Sequence, residues 1–146
     1  MFERYTEPAR RALFFSRYEA SSFGSWSIET EHLLLGVLRE GKGIISALLA
    51  QAPMEFLSVR SELRSRTPER EAVSTSVEIP FSEDIKRVLQ HAVAEAERLG
   101  HNYIGPEHLL LGLLREQESV AGRMLAEKGV NLTTVRDEVA RLTQKG

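Results

Sequence analysis

From residue 85 to residue 99, apolar side chains fall at Ile85, Val88, Leu89, Ala92, Val93, Ala96 and Leu99. Intervals of three and four are the stripe of an amphipathic helix. Ser82 stands where an N-cap is expected, and Gly100 where a glycine stops a helix. A matching helix is predicted from Thr6 to Gly24, with Pro8 in its first turn, where a missing N–H is harmless. Two further segments, "EHLLLGVLRE" at 31–40 and "EHLLLGLLRE" at 107–116, carry leucines in almost every direction, so each predicts a helix buried on all sides. Glu29-Thr30 opens one and Gly105-Pro106 the other, proline being suited to a first helical turn. Gly36 and Gly112 cost about 1 kcal/mol each against alanine inside a helix, which predicts close approach of another backbone. Short third helices follow, with Ile44, Ile45, Leu48 and Leu49 in one and Val120, Ala121, Met124 and Leu125 in the other, stopping at Pro53 and Gly129. Fourth helices are marked by Phe56, Val59 and Leu63, and by Leu132, Val135, Val139 and Leu142. No segment alternates as a strand would.

These elements come in two sets because the sequence repeats. A shift of 76 residues superposes His32 on His108 and, without a gap, Glu7 on Glu83, Gly24 on Gly100, Val59 on Val135 and Glu62 on Glu138. About a third of positions 6–66 are identical to their partners, the mark of a tandem duplication. The expected fold is all-α: eight helices in two pseudo-symmetric four-helix repeats that pack on each other, since four short helices alone make a marginal core. We read one domain over 1–146, with repeat one at 1–66, a polar, proline-bounded surface linker at 67–80 and repeat two at 81–146.

Composition narrows the function. With 42% apolar and 27% charged residues the chain belongs to the globular class. Its net charge of −2 supplies no basic field for nucleic acid. The absence of cysteine excludes disulfides and thiolate chemistry and suits a reducing compartment. Apolar runs are too short to span a membrane, and the N-terminal residues lack a hydrophobic signal core. The expectation is a cytoplasmic, monomeric protein without a cofactor.

Candidate chemistry is sparse. Residues 36–43 fit the phosphate-loop pattern GxxxxGK[ST] except that Gly43 stands in place of the hydroxyl residue. The pattern works only as a loop after a strand, whereas Gly36–Glu40 reads as helix. The four histidines have no zinc spacing; His32 and His108 read as packing or hydrogen-bonding groups, and His91 and His101 as surface residues. No serine sits in a nucleophile elbow, so no catalytic or metal-ligating set emerges. Glu31 and Glu107, acids in the first turn of both leucine-rich helices, complement the helix dipole. The same placement suits a ligand with a cation and an anion, the carboxylate taking a guanidinium while backbone N–H groups and a hydroxyl take a phosphate.

The stretches "MFERYTEPARRAL", "EHLLLGVLRE" with Gly41-Lys42-Gly43, and "RLGHNYIGPEHLLLGLLRE" at 98–116 resemble the N-terminal repeat domain of the ClpC-type Clp AAA+ unfoldases over nearly the whole chain. The resemblance implies a binding module, not an enzyme in itself, that receives substrate proteins or adaptor proteins for ATPase rings of the same chain. A stand-alone relative without rings, acting as adaptor or regulator, is the alternative; a connection to a ring could begin at Lys145-Gly146. It further implies binding of phosphorylated arginine once per repeat, through Thr6 and Glu31 in the first copy, with Arg4 beside them, and Ser82 and Glu107 in the second. Adaptor docking is expected at Phe2, Phe81 and Lys86, although an aromatic at each repeat start also reads as a core plug. The first copy departs from the family at Ser25–Thr30, where Glu29 adds an acid that disfavours an anion, and the second at Gln117-Glu118-Ser119, which alters a turn.

Overall fold

Eight helices follow one another in the computed structural model, which describes residues 2–144. They are α1 (Glu7–Ser22), α2 (Thr30–Glu40), α3 (Ile44–Leu48), α4 (Phe56–Arg66), α5 (Glu83–Arg98), α6 (Pro106–Arg115), α7 (Val120–Glu127) and α8 (Leu132–Thr143). Lys145 and Gly146 lie outside the described residues. The starts are chemically marked: Thr6 Oγ1 accepts from Ala9 N–H at 3.2 Å, Ser82 Oγ from Ile85 N–H at 3.2 Å, Ser119 Oγ from Gly122 N–H at 3.0 Å and Asn131 Oδ1 from Thr134 N–H at 3.1 Å, each satisfying an N–H that the helix leaves open. Gly24 and Gly100 follow α1 and α5 at φ of 73° and 76°, left-handed values that glycine adopts without strain.

The two leucine-rich helices form the centre. Leu33, Leu34, Leu35, Leu109, Leu110, Leu111 and Leu113 are wholly buried, each contributing roughly 1.5–3 kcal/mol of burial. α2 and α6 touch each other; α2 also reaches α5 and α7, and α6 reaches α1 and α3, so a single apolar cluster runs through both copies. Gly36 and Gly112 do what their cost implied. A Cβ on Gly36 would lie 2.2 Å from the Ala12 carbonyl oxygen, and one on Gly112 2.5 Å from that of Val88, so α1 and α5 cross their partners at backbone contact.

Buried charge repeats as faithfully as the leucines. Glu19, 1% exposed, accepts from Arg60 at 2.7 Å with Arg39 at 4.0 Å; Glu95, also 1% exposed, accepts from Arg136 at 2.8 Å and Arg115 at 3.2 Å. Each pair of arginines comes from the second and fourth helices of its copy, so one carboxylate ties three helices together. Burial pushes the Glu95 carboxyl up, but the Arg136 and Arg115 hydrogen bonds and charges outweigh it and hold it below the usual range.

The segment 67–80 is mostly exposed, yet it is pinned. Val73 and Ile79 are buried, Val73 N–H donates to the Ser21 carbonyl at 2.9 Å, Ser21 hydroxyl donates to the Val73 carbonyl, and Arg17 donates to the Val77 carbonyl at 2.7 Å.

Candidate functional site: two polar rims shared between the repeats

The segment before each first helix does not lie against its own copy. Tyr5 pairs with Ile104, and Ile28 with Phe81, in two isolated parallel bridges. Ile104 N–H donates to the Arg4 carbonyl at 2.9 Å and Thr6 N–H to the Ile104 carbonyl at 3.0 Å; Ile28 N–H donates to Pro80 at 2.7 Å and Ser82 N–H to Ile28 at 3.0 Å. Thr6 and Arg4 are thereby brought to the start of α6, where Glu107 sits, and Ser82 to the start of α2, where Glu31 sits. The pairing inside each copy, Thr6 with Glu31 and Ser82 with Glu107, is corrected: the crossing bridges exchange the partners.

At the α6 rim, Glu107 is 5% exposed. Its carboxylate rests on Gly105, where a Cβ would come within 2.3 Å of Oε1. Burial raises its carboxyl above the ordinary range, opposed by its own backbone N–H. Arg4 holds its Nε 3.3 Å from the Asn102 carbonyl. The Thr6 oxygen caps α1, which leaves the hydroxyl hydrogen to donate elsewhere. A buried acid, an arginine, a hydroxyl and two helix starts thus share one rim.

The α2 rim is built on the same plan from different residues. Glu31 is 9% exposed and receives the Thr30 hydroxyl at 3.5 Å. Burial raises its carboxyl, and Glu29 and Asp84 push it further the same way. A cavity of about 420 Å³ opens beside it, with Phe23, Trp26, Glu29, His32 and Arg70 in its walls.

His32 and His108 have a structural role. Glu29 N–H donates to His32 Nδ1 and Gly105 N–H to His108 Nδ1, both at 2.9 Å, so each ring caps its helix from the third position as a glutamine or glutamate does in a capping box. Burial pulls both rings down to about 4, so at neutral pH they are uncharged and, with Nδ1 accepting, carry their proton on Nε2. His108 Nε2 lies 2.8 Å from His101 Nδ1, and His101 stacks on Tyr103 with centroids 4.9 Å apart. His101 is therefore part of the second rim rather than a surface residue, and His91 is half-buried against Glu116 at 2.8 Å.

Phe2, Phe81 and Lys86 line one groove of about 330 Å³ that Tyr5, Leu89 and Val93 complete. Phe2 packs edge-on against Tyr5 at 4.9 Å and Phe81 at 6.2 Å. Both phenylalanines are half-buried against the core, so they plug it and edge a groove at once. Among the described residues no group of three His, Cys, Asp or Glu could hold a metal, and no helix is long and apolar enough to cross a membrane. Gly36–Glu40 lies inside α2 and Gly41 is its left-handed cap, so the phosphate-loop look-alike is not a loop.

The model of the Clp repeat N-terminal domain matches residues 4–128 and again 94–146. The chain belongs to this family. Among its relatives, the ATP-dependent Clp protease ATP-binding subunit ClpA homolog of Guillardia theta is 44% identical over 142 residues, covering 97% of this chain and 17% of its own length. The chloroplastic chaperone protein ClpC of Pisum sativum is 43% identical over 142 residues, covering 97% of this chain and 15% of its own. The chain thus spans about a sixth of the length of these relatives. Of solved structures, the N-terminal domain of the ClpD chaperone from Arabidopsis thaliana superposes with a TM-score of 0.77 at 32% identity, covering 99% of this chain and 97% of that one. The ClpV N-domain in complex with a VipB peptide shares the fold, with a TM-score of 0.75 at 18% identity over 97% and 88% of the two chains.

The Clp repeat domain's rims could have been read one step further from its sequence. The same shift of 76 sets Arg4 opposite Pro80, Pro8 opposite Asp84, Trp26 opposite Asn102 and Glu29 opposite Gly105. What the shift could not give was the exchange of strands that decides which of these faces which acid.

Proposed function

We propose that this Clp repeat domain is a docking module that receives substrate and adaptor proteins for an ATP-driven Clp unfolding machine, and that its α6 rim binds phosphoarginine. The observation that supports the ligand is the Tyr5–Ile104 bridge, which sets the backbone of Arg4 and Thr6 against Ile104, three residues before Glu107. A phosphoguanidinium group needs a carboxylate for its N–H groups and a cation with hydroxyl or backbone donors for its phosphate. Glu107 supplies the first; Arg4 and the Thr6 hydroxyl supply the second. Protein partners are favoured by the family and by the peptide held by the ClpV N-domain.

The test is an NMR titration followed at the Gly105 and Tyr103 amides. Phosphoarginine shifts them, free arginine and phosphoserine do not, and Glu107→Ala and Glu107→Gln abolish the response. Unchanged amides at millimolar ligand refute the phosphoarginine assignment. A second surface is the groove of Phe2, Phe81 and Lys86, whose apolar floor with one cation at its edge fits an adaptor segment carrying an apolar and an acidic residue. Phe81→Ala with Lys86→Glu is expected to remove adaptor binding while leaving the phosphoarginine shifts in place.

A further inference from the structure

The two rims share a plan but not a charge. At the α6 rim the crossing segment brings Arg4, with Pro8 following in the first turn of α1, and the loop offers Gly105. At the α2 rim the same positions hold Pro80, Asp84 and Glu29. The phosphate-side cation is gone and two acids have been added. Within the cavity, Glu29 and Glu31 face one arginine, Arg70, and His32 is neutral. Asp84, just outside, is held by Arg87 and still adds to the negative potential at Glu31. Trp26 stands in the wall 68% exposed, where the second copy has an asparagine.

We propose that the cavity at the start of α2 binds an unmodified cationic side chain, an arginine guanidinium above all, from an extended segment of a client protein. This rests on the docking function above but not on phosphoarginine binding at the other rim. The acids and the aromatic wall of the cavity fit that ligand. Glu31 is a nine-tenths buried carboxylate that takes its own backbone N–H and the Thr30 hydroxyl at 3.5 Å, and a guanidinium would add charged donors to these neutral ones. Glu29, held by the Ser27 hydroxyl, supplies a second carboxylate at the mouth. The Trp26 indole offers a face to a cation, the strongest of the aromatic partners. A phosphate carried on the same guanidinium would enter beside Glu29 with no arginine from the exchanged strand to receive it. Arg70 approaches from the linker, its Cβ beside Gly24, and lies close enough to His32 to disfavour that ring's protonation. It is the residue that separates the two ligands, since it would hold a phosphate but repel a bare guanidinium.

Trp26 is the protein's sole tryptophan, so its emission reads this cavity alone. The intact domain is titrated with N-acetylarginine amide, its phosphoarginine counterpart and the neutral citrulline counterpart. The arginine compound should give a saturable change, the phosphorylated one should bind at least about tenfold more weakly, and citrulline should give none. Glu29→Gln and Glu31→Gln should each weaken arginine about three- to tenfold, with melting curves confirming that both remain folded. Arg70→Ala should leave arginine binding unchanged or tighter. Phosphoarginine binding as tightly as arginine, loss of ligand with Arg70→Ala, or no saturable change by about 20 mM arginine compound, weaker than any useful docking contact, would each overturn the proposal. The Gly105 amide, read in parallel, reports phosphoarginine at the other rim, so failure there leaves the Trp26 result intact and interpretable.

Discussion

Replacing Gly112 with alanine sets two known effects against each other. Inside a helix the change gains about 1 kcal/mol of backbone propensity, so a Gly112→Ala variant stabilises the domain if the position is merely helical. The structure says otherwise. The new methyl would lie 2.5 Å from the Val88 carbonyl oxygen, 3.1 Å from Val88 Cγ1 and 3.3 Å from the Ala92 nitrogen. Two of these atoms are backbone and cannot rotate aside. To restore contact near 3.5 Å, α5 and α6 must part by roughly 1 Å, a gap that forfeits a quarter to a half of each dispersion contact along the crossing. Overpacking of this kind costs about 1–3 kcal/mol and sometimes more, and here it falls on a helix buried at nearly every position, which favours the upper end. We expect a net loss of about 2 kcal/mol after the propensity gain, a fall in Tm of roughly 6–10 °C for a chain of this size. Gly36→Ala, with its Cβ 2.2 Å from the Ala12 oxygen, should lose at least as much. Ser61→Ala, on the exposed face of α4, controls for propensity and should hold or raise Tm. A Gly112→Ala domain that melts at or above the parent temperature would refute the close crossing of α5 and α6.

Three further outcomes follow from the buried polar groups. Arg136→Ala leaves Glu95 buried with Arg115 alone and should cost about 2–4 kcal/mol in urea unfolding. Because the Glu95 carboxyl is held below its unfolded value, its contribution is present above about pH 4.5 and is lost as pH falls through the lower folded value; Arg136→Ala should flatten that acid limb. His32 and His108 work in the opposite chemistry but the same direction: with folded values near 4 against about 6.5 unfolded, the unfolded chain binds the extra protons, so stability is full above about pH 6.5 and each ring takes away about 2 kcal/mol by pH 5. His108→Gln, which can still accept from Gly105 N–H, should remove about half of that loss; an unchanged pH profile would show that His108 is already charged in the folded domain.

Helical periodicity, the duplicated decamer and the two helix glycines were legible because each obeys a local rule: spacing fixes the apolar face, and an interior glycine needs a reason. The paired buried glutamates were legible in principle. Arg11, Glu19, Arg39, Glu40 and Arg60 are identical to Arg87, Glu95, Arg115, Glu116 and Arg136, and polar identity between two copies that otherwise diverge is a signal of shared contacts. The anchored linker was not legible, since Val73 and Ile79 are isolated apolar residues in a polar run, and only α1's carbonyls reveal what they bind. The strand exchange was the least legible of all. A parallel bridge of one residue pair leaves no alternation to detect, so the assignment implied by the resemblance paired Thr6 and Ser82 with the acids of their own copies, whereas the bridges carry them to the other copy's helix start.

That exchange carries a consequence for how the two sites diverged. Had each rim been built within one copy, duplication would have produced two sites whose walls changed together with their own helix starts. Because the bridges Tyr5–Ile104 and Ile28–Phe81 cross, each rim takes its acid from one copy and its hydroxyl from the other. A change at one repeat start, such as arginine at position 4 or proline at position 80, therefore alters the charge beside the other repeat's acid without disturbing that acid's own helix. The leucine-rich helices that form the common core are held nearly identical by packing, while the short segments in front of α1 and α5 are free to specialise. The same geometry gives the domain one rim with a cation beside a buried carboxylate and another with acids and an aromatic face.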